Sequence, residues 1–313
     1  MATLLRNSAD PAVWWGNPGL GLLDNVHRQG AGMLDIPGAV LATTRVEPSK
    51  VALGETGGKP VRVTLTIRND SNQPVTYTLH NEDALATFGD AFAPGFWFEP
   101  AAVTFETTTV TVKARGQAKV KVDIAAPAEL PDGGVYGGYL VVTSGADGSE
   151  YRVPYAGFKG DYQALPILTP IPGADLPWLA RLEDGAFVKQ EDGAVFTMDG
   201  DDIPFVLVHL HHQSRFLRIQ LRSAPNGRNW GEVYDLELLP RNDLPQGFFA
   251  FEWDGMVPVG KSGKFTAVPD GEYVMILTVG KALTQGNNPA SVETWVSPVF
   301  RIERSGAGGG AGE

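Results

Sequence analysis

The chain contains no cysteine, which excludes a disulfide framework, a thiolate metal site and a thiol nucleophile together. That absence fits a cytoplasmic protein and a bacterial exported one equally, so the compartment stays open. Positive charge is also scarce. Twenty-five Lys and Arg stand against 36 Asp and Glu, a formal net charge of -11, so no general field draws in phosphate backbones or anionic lipid. Nucleic acid is not an expected partner. No window reaches the roughly 18 apolar residues of a membrane span. The first twenty residues also lack the apolar core of a signal peptide, because Arg6, Asn7 and Asp10 follow residues 1–5 at once. An extracellular role would then require that residue 1 is not the original beginning. What is abundant is Gly and Pro, 38 and 23 of 313 residues, which break helix interiors and favour short strands joined by turns. With 43% hydrophobic and 10% aromatic residues, the chain has enough apolar surface for a sizeable core.

Residues 1–40 differ from the rest: short helical patterns are broken by Gly and Pro, with no apolar set large enough for a core of their own. From Thr43 the texture becomes β. Val61, Val63, Leu65 and Ile67 alternate with Arg62, Thr64 and Thr66, the period-2 pattern of a strand with one buried face. Residues 75–79, 119–124, 136–142 and 151–155 continue the series. Strands this short need a second sheet over their apolar face, which predicts a β-sandwich. Pro166, Pro170, Pro172 and Pro177 mark a junction. Seven further strand candidates, at 194–198, 205–210, 217–222, 233–239, 247–253, 272–279 and 295–302, predict a second sandwich. The fold class expected is therefore all-β, two sandwiches in series after a short irregular and helical segment. The Gly-rich residues 305–313 are expected to be a flexible tail.

Several segments carry a family resemblance. Arg28-Gln29-Gly30-Ala31-Gly32-Met33-Leu34-Asp35, preceded by Leu4-Leu5-Arg6-Asn7-Ser8-Ala9, resembles the stretch that closes the catalytic domain of subtilisin-like serine proteases. The run 153–162, Val-Pro-Tyr-Ala-Gly-Phe-Lys-Gly-Asp-Tyr, followed by Leu165-Pro166-Ile167-Leu168, resembles the end of the fibronectin-III-like domain of cell-envelope subtilases of the C5a-peptidase and lactocepin type. Phe251-Glu252-Trp253-Asp254-Gly255 with Val268-Pro269-Asp270-Gly271-Glu272-Tyr273 is similar to an Ig-like module shared by later subtilase domains and the flagellar hook-capping protein. The resemblance implies four parts: a remnant of a catalytic domain at 1–40, a fibronectin-III-like sandwich at 41–168, an Ig-like sandwich at 169–304 and the tail at 305–313. Without the family, the same glycines read as turn and close-approach positions, and the aromatic residues as plugs at a sandwich end.

What is missing decides the expected activity. A subtilase needs Asp, His and Ser on separate segments and an oxyanion-hole Asn. The resemblance puts all four upstream of residue 1, and no Gly-x-Ser-x-Gly elbow replaces them. None of the five histidines, His27, His80, His209, His211 and His212, sits in the family's His motif. No catalytic, cofactor-binding or metal residue is therefore assigned, no cofactor is expected, and the chain is expected not to be an enzyme. The resemblance implies a non-catalytic accessory region of a secreted subtilisin-like endopeptidase. Its partners would be the catalytic domain in cis and a protein substrate, outside the cell or in its envelope. The rival reading is a free-standing extracellular binding module for carbohydrate or a surface protein.

Four features are candidate sites. His209 and His211, two apart on one strand, point the same way and can ligate a metal, but with Val206, Val208 and Leu210 opposite them a solvent-facing polar row is the plainer expectation. Asp199-Gly200-Asp201-Asp202 lacks the twelve-residue calcium-loop spacing and reads as an acidic turn. Trp14, Trp15, Trp97, Trp178 and Trp230 are candidates for stacking on sugar rings, against core filling as the ordinary use of tryptophan. The apolar loop with Phe92, Phe96, Trp97 and Phe98 either caps the sandwich or docks on a neighbour.

Overall fold

The computed structural model describes residues 1–260, 263–284 and 289–304. The chain is all-β apart from short helices, and it divides into two compact units, Met1–Tyr162 and Gln163–Glu313. The division falls six residues before the expected boundary at 168, because 163–168 pack with the second unit. The expected tail at 305–313 lies outside the described residues.

The first unit holds helices α1 (Ala2–Asn7), α2 (Val26–Gln29) and α3 (Ile36–Leu41). Its strands are β1 (Thr44–Glu47), β2 (Val51–Thr56), β3 (Val61–Asn69), β4 (Val75–Asp83), β5 (Ala86–Gly89), β6 (Pro94–Trp97), β7 (Ala102–Phe105), β8 (Thr109–Val112), β9 (Gln117–Ala125), β10 (Val135–Ser144) and β11 (Glu150–Lys159). One sheet has the order β1-β3-β9-β7, the other β2-β11-β10-β4-β8 with the β5–β6 hairpin attached to β10. Leu65, Ile67, Val120, Val122 and Ile124 face Tyr77, Leu79, Leu140, Val142, Val153 and Tyr155 across the sandwich. The alternation read in the sequence for β3 and β9 is the alternation that fills this core.

Strand β10 does not alternate; it is buried along almost its whole length. Its odd residues Tyr139 and Val141 face away from the core and are covered by Leu23 and Val26, with Ala84 and Ala156. Residues 1–41 are thus the cover of a sheet's outer face, where the sequence alone left them without a place. Asn25, fully buried, fixes that cover: its Nδ2 donates to the carbonyls of Leu85 (2.9 Å) and Val135 (3.3 Å), and its Oδ1 accepts from the His27 N–H at 2.7 Å. Asn7, equally buried, donates to the Arg152 carbonyl and accepts from the Val46 N–H. Gly137 on β10 lets Val26 approach, since a Cβ there would stand 3.0 Å from Val26 and 2.5 Å from the Tyr155 carbonyl oxygen.

The second unit comprises β12 (Trp178–Glu183), β13 (Ala186–Lys189), β14 (Ala194–Phe196), β15 (Phe205–Val208), β16 (Ser214–Ser223), β17 (Asn229–Leu239), β18 (Phe249–Glu252), β19 (Met256–Pro258), β20 (Phe265–Ala267), β21 (Gly271–Lys281), β22 (Val292–Val296) and β23 (Phe300–Ile302). Sheet β13-β12-β15-β18 faces sheet β14-β23-β21-β16-β17, with β22 paired to β21 and β19–β20 forming a separate hairpin. Leu179, Val206, Val208 and Phe251 meet Leu217, Ile219, Leu221, Leu277 and Val279 between the sheets.

The proline-rich stretch expected as an open junction is packed. Ile167 joins the inter-sheet core, and Ile171, Ala174 and Leu176 lie with Phe205 and Leu207 on the outer face of the smaller sheet. Glu293 anchors it by accepting from the N–H groups of Ile167 (2.8 Å) and Leu168 (2.9 Å), with the Lys281 ammonium 3.6 Å away.

Two outcomes follow from these covers. Deleting residues 1–41 strips Tyr139 and Val141 and should lower the melting temperature of the first unit by about 10 °C or more, while Asn25→Ala alone should cost about 2–4 kcal/mol in chemical denaturation. An unchanged melt of the deletion variant would show that the segment is dispensable. In the second unit, limited proteolysis should spare 163–177 in the parent chain and cut there first in Glu293→Ala.

Candidate interaction surface

The Arg28–Asp35 motif is built into the first unit residue by residue. The Gln29 side chain donates to the Asp24 carbonyl at 2.8 Å and accepts from the Ala12 N–H at 2.7 Å. The Gly30 carbonyl accepts from the Tyr139 hydroxyl at 2.9 Å. Gly32 has φ +109°, and a Cβ there would stand 2.3 Å from the Asp10 carbonyl oxygen, so only glycine permits the Asp10–Met33 bridge. Asp35 caps α3 by accepting from the Gly38 N–H at 2.9 Å. Arg28 lies over the Phe96 ring, 5.0 Å from its centroid, and Trp14 packs on the same phenylalanine at 5.3 Å.

With the polar groups turned inward, apolar side chains are left outside. Met33, Leu34, Ile36, Val40 and Leu41, five large apolar residues within nine positions, are 60–77% exposed. Ile36 and Val40 are four apart on α3 and so share one face of the helix. Clustered exposed apolar side chains of this kind are common at docking surfaces.

The β5–β6 hairpin does both things weighed for it. Phe96 closes on Trp14, whereas Trp97 (52%) and Phe98 (52%) are exposed. Trp15, at 70%, is the most exposed of the five candidate tryptophans. Trp178 and Trp230 are not free platforms: Trp178 donates to Asp175 and lies 5.8 Å from the Lys189 ammonium, and Arg228 covers Trp230 at 3.9 Å.

The polar row expected around His209 is not there. Strand β15 is buried on both faces, ends at Val208, and is followed by a His209 that is itself buried with its Nδ1 2.6 Å from the Gly247 carbonyl oxygen. Sequence alternation suggested one wet face because the second cover, residues 171–176, comes from outside the local pattern. His211 and His212 are half-buried neighbours, ring centroids 4.8 Å apart. Burial, reinforced by the nearby His211 and Arg241 and opposed by Glu293, pulls the His212 imidazole down to about 4.

In the acidic turn, Asp202 folds inward, accepting from the Thr197 N–H and hydroxyl and pairing with Arg181 at 2.9 Å. Among the described residues no three His, Asp or Glu side chains gather as a metal-binding group, and no helix is long and apolar enough to cross a membrane.

Residues 51–156 match the sequence model of the Fn3-like domain family, so the first unit carries a fibronectin-III-like module. No curated protein matches the chain by sequence. Solved structures with a similar fold include PapD-like domain 7 of human CEP192, at 11% identity and a TM-score of 0.31, covering 38% of this chain and 86% of that one. The CupB2 chaperone of Pseudomonas aeruginosa is similar at 12% identity and a TM-score of 0.26, over 80% of this chain and 98% of the other. The CsuC–CsuE chaperone–tip adhesion subunit complex of archaic Csu pili of Acinetobacter baumannii gives 13% identity and a TM-score of 0.26, over 73% and 98%. These likenesses are too loose to bear on function.

Because the folded imidazole of His212 titrates below its ordinary value of 6.5, the unfolded chain binds the proton first on acidification. The contribution to stability is fully present above pH 6.5 and is lost as the pH falls toward 4. NMR titration should find the His212 midpoint near 4, and His212→Gln should flatten the loss of second-unit stability across that window. A midpoint at 6.5 would show the ring to be solvated.

Proposed function

We propose that this chain is a non-catalytic accessory region of a secreted subtilisin-like serine endopeptidase, acting at the cell envelope or outside the cell. The observation that carries the reading is the apolar face of residues 33–41, which begins inside the Arg28–Asp35 motif that resembles the end of a subtilase catalytic domain and continues past it. In this reading the catalytic domain docks on Met33, Leu34, Ile36, Val40 and Leu41. The buried Asn7 and Asn25 contacts carry that dock to the fibronectin-III-like sandwich, which then holds protein substrate in register with the catalytic cleft. In this reading the chemistry belongs to the catalytic domain.

Exposed Trp15 and Trp97 favour a second reading, a binding module whose aromatic faces stack on sugar rings. A glycan array separates the two: retention of a saccharide that is lost in Trp15→Ala supports the second reading.

For the first reading, the coding sequence should run in frame upstream of Met1 into a Gly-Thr-Ser nucleophile segment, and a stop codon there refutes it. The purified chain should take up no active-site serine probe. Replacing Leu34, Ile36 and Val40 by Ser, all on the exposed face, should leave the melt within about 1 kcal/mol of the parent and weaken association with that catalytic domain about tenfold or more. Undiminished association would place the dock elsewhere.

A further inference from the structure

The second unit carries a groove of about 450 Å³ to which neither reading above assigns a role. Three segments far apart in sequence build it: Tyr234 on β17, the stretch Glu252–Met256 after β18, and Phe265 on β20. The aromatic walls are held in place. Tyr234 donates its hydroxyl to the Glu252 carbonyl and packs edge-on against Phe251 at 5.1 Å; Trp253 donates Nε1 to the Met256 carbonyl at 2.7 Å. Phe265, 63% exposed, stands at the open side.

The rim is acidic. Glu252 and Asp254 are both exposed and belong to the lining, and among the described residues no cationic one does. Asp254 uses one oxygen to accept from the Met256 N–H, leaving the other for a ligand. The negative field is felt inside, since burial and then the charges of Glu252 and Asp254 hold the Tyr234 hydroxyl above the usual tyrosine range. Trp253 is buried in the inter-sheet core and forms the floor, so the rings that meet a ligand are those of Tyr234 and Phe265. With the two carboxylates they form a receptor for an organic cation: the rings attract it through their quadrupoles, and the carboxylates neutralise it.

The groove also borders the last strand of a sheet. The β19–β20 hairpin packs beside the start of β17, with Pro258 against Gly231, and among the described residues no strand hydrogen-bonds to the outer side of β17. Along that strand Glu232, Asp235 and Glu237 add negative charge, with Asp235 paired to Arg218 at 2.9 Å. An unpaired edge beside an acidic aromatic groove fits an extended chain that pairs with the edge and drops a basic side chain into the groove.

We infer that the Tyr234–Trp253–Phe265 groove binds the Arg or Lys side chain of an extended polypeptide segment laid along the edge of β17. This is independent of the dock at residues 33–41, and either can fail without the other.

The test uses the full chain and calorimetric titration with the peptide Ac-Thr-Val-Arg-Val-Thr-NH2, its Gln counterpart and N-acetylarginine amide. The Arg peptide should bind about tenfold tighter than the Gln peptide, and Glu252→Gln and Phe265→Ser should each weaken it about fivefold or more. Both positions are exposed, so melts should match the parent. A charge swap adds a rescue: Glu252→Lys should prefer the peptide with Glu in place of Arg. Equal affinity for the Gln peptide, no effect of the two substitutions, or no detectable binding overturns the inference. Binding of N-acetylarginine amide as tight as that of the peptide overturns the part played by the strand edge.

Discussion

The structure depends on one constraint: a central strand with apolar residues on both faces cannot be satisfied by a two-layer sandwich. On β10 the even positions Leu140 and Val142 meet the opposing sheet, and the odd positions Tyr139 and Val141 need a third layer. Leu23 and Val26 supply it, each worth about 1.5–3 kcal/mol when fully buried. Such burial is non-directional, so it does not by itself set where a broken, mostly irregular segment should lie. Hydrogen bonds do that. Asn7 and Asn25, each fully buried and bonded to backbone from distant strands, give the segment a single register on the sheet.

The second unit solves the same problem with different residues. Phe205 and Leu207 on β15 face outward from the inter-sheet core and are covered by the stretch containing Ile171, Ala174 and Leu176. Proline suits this task. Pro166, Pro170, Pro172 and Pro177 have no N–H to satisfy, so an irregular strap laid on a sheet face leaves fewer backbone donors to account for. Of the donors that remain, those of Ile167 and Leu168 share the Glu293 carboxylate, with Lys281 close enough to balance its charge. A Pro-rich stretch is therefore an integral layer here, where composition alone reads it as a linker.

Both covers mark the limit of what was legible in the sequence. Period-2 alternation in residues 61–67 and 119–124 placed β3 and β9 and their core face, because a half-covered strand writes its environment into its own sequence. The pattern reports how many faces are apolar but not which remote segment covers them. That is why the polar row expected around His209 gave way to a buried histidine. The four-residue strands β5, β6 and β13 are too short for alternation to show, and β12, with Leu179 and Ala180 buried in succession, does not alternate. The groove at Tyr234, Trp253 and Phe265 had no local signature at all, since its three walls come from segments joined only by the fold. Trp253 and Asp254 read in the sequence as part of a turn motif, and only the packing of β17, the end of β18 and the β19–β20 hairpin around one groove shows what they face.

Residues 1–41 reverse the usual relation between polarity and exposure. Asn7, Ser8, Asp24 and Asn25 are buried, whereas Met33, Leu34, Ile36, Val40 and Leu41 face outward. For a segment with a single neighbour this distribution is unfavourable, because the apolar side chains gain nothing from folding and favour self-association. For a segment clamped between two neighbours it is economical. The polar side gives a unique register on the sandwich, where a slip would leave buried donors unpaired, and the apolar side offers area to a second body without prescribing its orientation as tightly. The rigid side is the one fixed to the fibronectin-III-like module, so a body docked on the apolar side as proposed would inherit its position from Asn7 and Asn25. The Gly-Ala-Gly stretch at 30–32 serves the same end, since Gly32 is where the chain must pass within contact of the Asp10 backbone to turn α3 outward. Under the proposed docking, a connector of this kind would make the sandwich and its neighbour one mechanical unit, with the information about their relative position held in hydrogen bonds on the sandwich side.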